Sequence, residues 1–373
     1  MNIWKWNNSF IRRHDMINKS RLIETMFELI RIDSPSGEEQ QIAGVLIDKL
    51  KGFGFNAGLD DYGNVIGRLG EYPEILLSAH MDTVEPGRNI EPRVDGDLLV
   101  SNDDTILGGD CKAGVASILE GLQVAIETGR LNRSVEVAFT RQEEIGLVGA
   151  KNLDYSKILA KEAIVFDGEG PASRITSSSP THVRFDIDIT GRAAHAGAAP
   201  ENGISAIRIA SEIITRLPQG RLDKDTTFNI GVIKGGSVTN AVPEKTIVKG
   251  EFRSHSAEAL DNIKLSIDNA VNEVRDKFNE AKIDLLTETQ FDAYSITGEE
   301  PPVSRVIRSL ASIGAEPVMA PSGGGTDGNI LRQHGIESVV VGMADHNAHT
   351  VREYVSLTEL VEVANLCEAI LTE

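Results

Sequence analysis

Apolar runs of strand length alternate with stretches of helical period along most of this 373-residue chain, and that alternation limits the fold more than any other feature. Leu22, Ile23, Met26, Leu29 and Ile30 recur at steps of three and four, which predicts a first helix. Ile42, Val45, Leu46 and Leu50 predict a second, stopped by Gly52 and Gly54. Strands are expected over 64–70, 74–80, 134–140 and 162–168, with helices over 111–127 and 145–153 between them. This order is that of an α/β/α sandwich with a mostly parallel sheet. Near Ser177 the pattern changes. SSSPT (177–181) is loop chemistry, and VRFDIDITG (183–191) alternates like a half-buried strand. A helix over 203–217, strands near 226–234 and 246–254 and a long helix over 257–279 then complete a split βαβ, ferredoxin-like arrangement. The chain returns with a helix after Pro302, a loop over 322–329, a strand over 338–343 and a last helix over 357–371. The reading is a loose tail over 1–17, a first domain from 18–178 and 294–373, and an inserted α+β domain over 179–293.

Charge narrows the partners. Lys and Arg number 37 against 56 Asp and Glu, a formal net charge of −19, and no dense Lys/Arg run exists, which excludes nucleic acid held on a basic face. No apolar stretch approaches the roughly 18 residues of a membrane span. The two cysteines, Cys111 and Cys367, cannot build a disulfide framework or a Cys-rich zinc site, and low cysteine usage fits a reducing cytoplasm. The opening MNIWKWNNSFIRRHDM lacks the apolar stretch of a secretory signal. It reads as a loose tail, or as a start upstream of the one used, with Met16 directly before the first helix.

The polar residues that stand out fall where strands of the first domain end, the place where open α/β sheets bind ligands. His80 and Asp82 close the run EILLSAHMD, Glu143 and Glu144 follow VEVAFT, Asp167 ends AIVFD, and His346 and His349 follow SVVVGM. Asp110 stands just before a helix. Singly, each carboxylate has an ordinary reading as a turn or helix cap, and each His as a surface or core residue. Jointly, two imidazoles and three carboxylates on one rim can hold two divalent ions with one carboxylate bridging. A second glutamate beside a ligand glutamate supplies the base that a metal-activated water needs.

The ordered motifs SAHMDT, LGGDCKAG, RQEE, VFDGE, GGGTDG and HNAHTVREY resemble the dinuclear zinc exopeptidases and amidohydrolases. That family includes peptidase T, aminoacylase, acetylornithine deacetylase and bacterial glutamate carboxypeptidase, and the likeness is to its peptidase T (tripeptidase) branch. It runs from about residue 18 and takes in the inserted domain, which it implies is a lid and a dimerisation surface. The resemblance implies His80, Asp110, Glu144, Asp167 and His349 as ligands of two divalent ions, zinc first, with cobalt or manganese as substitutes. Asp110 would bridge, and a cis peptide is implied at Asp110–Cys111. His349 is matched rather than His346 because it stands four residues before Glu353. Asp82 is implied to orient His80, and Glu143 to be the general base. In the lid, GRAAHAG implies His195 at the oxyanion, while GGSVTNAVPE and GEFRS imply Asn240 and Arg253 on the substrate carboxylate. Gly324, Gly325 and Thr326 are implied to lie close to substrate. Two positions depart from the pattern: Gly323 stands where tripeptidase T has an Arg, and Cys111 replaces the usual acidic residue.

The implied activity is metal-dependent hydrolysis of an amide in a short peptide, as in an aminopeptidase or tripeptidase. An N-acyl amino acid deacylase of the same family is the alternative, and a non-catalytic metal scaffold is the alternative of another class. The expected partners are a short peptide or acyl amino acid and a second copy of the chain, with no nucleic acid and no membrane.

Overall fold

The computed structural model describes residues 16–373. The tail expected over 1–17 therefore lies outside the described residues, except for Met16 and Ile17, and Ile17 is buried. The chain divides into two compact units: Ser178–Ser295 with Ser322–Gly325, and the remainder.

In the first unit, strands Asn56–Leu59, Val65–Leu69, Val135–Thr140, Ile75–His80, Glu162–Gly168, Glu337–Gly342 and Arg174–Ser179 lie side by side in that order. The three central pairings are parallel. Those towards either edge are antiparallel, so the expected mostly parallel sheet is in fact a mixed one with a parallel centre. The cause is local: parallel neighbours need a crossover, whereas Asn56–Leu59 and Val65–Leu69 are joined by a tight turn. Asp60 ties that turn by accepting the N–H groups of Tyr62, Gly63 and Asn64. Every residue of Ile75–His80 and Val135–Thr140 is buried, as strands covered on both faces must be. Helix Gly109–Glu127 packs against the last helix, Leu357–Thr372, and both are buried along most of their length.

Two expectations about this unit fail for physical reasons. The helix expected over 145–153 shrinks to Val148–Lys151, because Gly146 and Leu147 turn into left-handed backbone, φ 116° and 58°. The loop expected over 177–181 is mostly strand, from Arg174–Ser179 and Thr181–Thr190. A small antiparallel sheet of Asp345–His346, Tyr354–Ser356, Leu98–Val100 and Arg93–Asp95 was also not anticipated. It anchors both ends of the loop that carries His349.

The second unit is an antiparallel sheet in the order Gly220–Arg221, Thr226–Gly235, Lys245–Ser254, Thr181–Thr190, Lys282–Phe291. Helices Ala206–Ile214 and Ala257–Lys277 supply Ile209, Ile213, Ile267 and Val271 to a core that includes Phe185, Phe228 and Phe252. Ser322–Gly325 belongs to this unit, although the sequence placed it in the first domain. The hydroxyl of Ser179 donates to the Gly324 carbonyl at 2.8 Å, and Arg253 donates to the Gly323 carbonyl at 3.3 Å. A Cβ at Gly325 would lie 2.2 Å from the ring of Phe291, so the chain passes there as glycine.

Candidate metal centre and active site

The carboxyl ends of the central strands deliver the polar groups to one place. Apolar strands run out at His80, Thr140 and Asp167, and the side chains of His80 and Asp167 gather with Asp110 at the start of helix Gly109–Glu127. The Nε2 atom of His80 lies 3.1 Å from Asp110 Oδ1 and 3.5 Å from Asp167 Oδ1. Its other ring nitrogen, Nδ1, is 2.9 Å from the backbone oxygen of Asp82, which holds the ring with Nε2 turned to the carboxylates. On the other side, His349 Nε2 lies 3.3 Å from Asp110 Oδ2 and 2.9 Å from Glu144 Oε2. Asp110 is thus shared between two sets of groups, one with His80 and Asp167 and one with Glu144 and His349. The peptide after it, Asp110–Cys111, is cis.

His349 reaches this position from a loop that turns sharply, with Ala344, Asn347 and His349 all in left-handed backbone. His346, three residues earlier, points elsewhere and pairs with Glu359 at 2.6 Å.

Asp82 is fully buried and works as a clamp. Its carboxylate accepts the N–H of Glu143 at 2.9 Å, the N–H of Glu144 at 3.3 Å and the hydroxyl of Ser36 at 2.6 Å. Burial opposes its charge, but His80 and these donors hold its pKa below the ordinary range. Three neighbouring acids behave in the opposite way. Burial pushes Glu143 well above the usual carboxylate range, with Asp167 adding repulsion. Burial also raises Asp167, and it carries Glu144 up to about 7. His349 rises to about 10 through its bonds to Asp110 and Glu144.

This is the electrostatic signature of a site built for cations. Two imidazoles hold Asp110 below the ordinary carboxylate range against its burial, while burial and then neighbouring carboxylates raise the acids around it. The mixture of nitrogen and oxygen donors fits divalent zinc or its first-row relatives.

The sequence motifs GGGTDG and LGGDCKAG contain Asp327 and Lys112, but give neither a role. Asp327 is buried, accepts the hydroxyl of Thr140, and is lifted to about 7 by burial and then by Asp167. Lys112 is fully buried, donates to the Ile32 carbonyl at 3.0 Å, and is pulled down to about 8 by burial against Asp33 and Glu353. Cys111 lies near the ligand atoms of His80 and Asp167, yet its thiol donates to the Phe166 carbonyl at 2.8 Å.

In the second unit, His195 pairs with Ala241 in an isolated bridge, next to Asn240, whose carbonyl accepts the Ala196 N–H at 3.0 Å. The two implied lid residues are therefore neighbours, and both are exposed. Arg253 pairs with Glu251 at 3.0 Å, and Glu251 with His182 at 2.7 Å.

Family models for a peptidase dimerisation domain and for peptidase family M28 match residues 179–279 and 64–190. An aminopeptidase PepT of Bacillus cereus is 34% identical, with 96% of this chain and 99% of that one covered, at a TM-score of 0.81. A tripeptidase of Staphylococcus aureus is 32% identical, with 96% and 98% covered, at a TM-score of 0.86. Peptidase T of Bacillus subtilis is 26% identical over 93% of this chain and 97% of its own.

The chain belongs to the M20 peptidase family.

As an M20 metallopeptidase it has the dimerisation domain inserted in the metal-binding one, and the matched segment lies within the second unit. Among the described residues no helix is long and apolar enough to cross a membrane.

Proposed function

We propose that this M20 peptidase is a two-metal aminopeptidase of short peptides, a reading supported by its likeness to proteins named aminopeptidase PepT and tripeptidase. The observation that carries the reading is Asp110, with one oxygen towards His80 and the other towards His349. His80 and Asp167 would hold one ion, Glu144 and His349 the other, and Asp110 both. Zinc is the preferred metal, with cobalt or manganese as substitutes. When bound, such ions polarise a carbonyl and lower the pKa of water towards neutrality.

Glu143 moves the proton. Its backbone is clamped by Asp82 and its side chain is left out of both ligand sets. It accepts the proton of the attacking water and returns it to the leaving amine nitrogen. Its raised proton affinity suits the second half of that cycle. His195 Nδ1 accepts the N–H groups of Gly197 and Ala198 at 3.2 and 3.1 Å. The ring proton therefore sits on Nε2, where it is a donor for an oxyanion. Arg253, oriented by Glu251 and the Gly323 carbonyl, and Asn240 are assigned to the distal carboxylate of the substrate, with Gly324, Gly325 and Thr326 lining its path.

Gly323 stands where the tripeptidase pattern has an Arg, and nothing lies within 4 Å of its Cβ position, so the group expected to select tripeptides by length is missing and the deacylase stays the alternative. A panel of tripeptides and dipeptides against acetyl and succinyl amino acids, on zinc- or cobalt-loaded enzyme, tests the reading. Fastest turnover on peptides with a free amino terminus supports it. Turnover confined to acylated amino acids overturns it in favour of a deacylase.

A homodimer through the second unit goes with this reading. Strand Thr226–Gly235 is covered on its outer side at Thr227 and Phe228 by Gly220–Arg221, and beyond that it exposes Val232 and Ile233. An open apolar strand edge is a template for a second chain. A reducing, cytoplasmic setting is supported by two buried free thiols, Cys111 and Cys367.

A further inference from the structure

Glu353 is 2% exposed and lies at the back of the proposed metal centre. Its carboxylate accepts three N–H groups from one short stretch of backbone. Oε2 accepts the N–H groups of Leu107 and Gly108 at 2.7 and 2.8 Å, and Oε1 accepts that of Asp110 at 3.0 Å. A carboxylate at the start of a helix is a common cap, but this one comes from more than two hundred residues away. It also stands four residues after His349, and its own N–H donates to the Thr350 carbonyl at 3.0 Å. One side chain therefore ties the loop that carries His349 to the loop that carries Asp110.

The fit between the two loops is close. A Cβ at Gly109 would lie 2.4 Å from Asp345 Oδ1, 2.6 Å from Val355 Cγ2 and 3.3 Å from Glu353 Oε1. Asp345 is fully buried beside Glu353, and burial, then Glu353, pushes its carboxyl well above the usual range.

We propose that Glu353 is a positioning residue for the dinuclear centre: it pins Leu107–Asp110 so that Asp110 turns one oxygen to each half of the site. The inference rests on the two-metal reading above. A shift of Asp110 by a few tenths of an ångström would leave either pair, His80 with Asp167 or Glu144 with His349, but would remove the shared ligand. Groups that orient a metal ligand are commonly worth about 10- to 100-fold in metal affinity.

The test is Glu353→Gln. The amide oxygen can still serve Leu107 and Gly108, but the amide NH2 then meets the Asp110 N–H, donor against donor. Manganese is titrated into wild type and variant, with stoichiometry and stepwise affinity by calorimetry and electron paramagnetic resonance of the fully loaded protein. The expected result is two exchange-coupled ions in wild type. In the variant, the second ion should bind at least about 10-fold more weakly, with a spectrum of uncoupled ions. General loss of fold stability does not uncouple two ions that are bound. If the Gln variant does not fold, Glu353→Asp, which withdraws the carboxylate by one methylene, takes the same measurements. A variant that binds two coupled ions with wild-type affinity overturns the role of Glu353. Uncoupled or single ions in wild type overturn the two-metal reading itself, and the inference with it.

Discussion

Asp82 accepts the backbone N–H of Glu143 at 2.9 Å, and the same carboxylate takes the Glu144 N–H at 3.3 Å. The two glutamates are thereby fixed as a pair whose side chains diverge, Glu144 to His349 and Glu143 to neither ligand set. Glu143→Ala should therefore keep both metals and lose about 10²- to 10⁴-fold in turnover, the usual worth of general acid–base catalysis. Metal content by elemental analysis beside activity checks this. Loss of metal in Glu143→Ala, with metal retained in Glu144→Ala, would show that the two roles are exchanged.

Two glycines in helices should respond in opposite directions to alanine. At Gly114 an added Cβ would lie 2.0 Å from the Phe166 carbonyl oxygen, a backbone atom that cannot swing away. Gly114→Ala should lift the helix from strand Glu162–Gly168, which carries Asp167, and cost about 1–3 kcal/mol or more. Gly44 is exposed in helix Gln40–Gly52 with nothing within 4 Å of its Cβ position. Gly44→Ala should stabilise by about 0.5–1 kcal/mol. Paired denaturant titrations decide, and similar effects at both positions would count against the close packing at Gly114.

The contrast between these glycines bears on what a sequence can reveal. His80 and Asp167 were legible because a buried strand reads as an apolar run, and the polar residue that ends it stands out. The paired glutamates stood out for the same reason, after the strand Val135–Thr140, whereas Asp110 stood out only through the motif at the start of its helix. The groups behind them were not legible. Ser36 reaches Asp82 from a different loop, and Glu353 reaches Leu107 across most of the chain, so no local pattern connects them. The sheet was misjudged at its edges, where a turn tied by Asp60 makes an antiparallel hairpin that looks like any other pair of short strands. Ser322–Gly325 was misplaced because four residues of glycine-rich loop carry no periodicity; hydrogen bonds to Ser179 and Arg253 decide where they go.

Glu251 gives the second unit a defined acid limit. Its bond from His182 and then its pair with Arg253 hold its carboxyl down to about 2, against the opposing effect of burial. A depressed acid stabilises the folded state above its unfolded pKa, near 4.3, and loses that contribution as pH falls towards the folded value. Solvent reaches the group, so the effect is smaller than the full shift implies. The stability difference between wild type and Glu251→Gln, read by hydrogen exchange over 181–190 and 245–254, should be constant down to about pH 5. Below that it should shrink towards pH 2. A difference that widens on acidification contradicts the pairing.

Removal of the metals should loosen the first unit and spare the second. Without cations, Glu144 and Asp327 are each lifted to about 7, and Glu143 and Asp167 are raised as well, burial being the largest cause in every case. Acids raised in the folded state stabilise it least where they must ionise. The metal-free protein should therefore lose stability as pH climbs from ordinary carboxylate values through about 7. Divalent ions reverse this by favouring the charged forms, so their binding should release protons and raise the melting temperature by mass action. Calorimetry in two buffers of different ionisation enthalpy measures the proton release. Hydrogen exchange during chelator titration locates the loosening, expected near 80–82, 108–115, 143–150, 167 and 345–353, with 183–290 little changed. The second unit has its own core of Phe185, Phe228 and Phe252, with none of the proposed ligands among its residues. Equal loosening of both units, or proton uptake on metal binding, would contradict a cation site confined to the first.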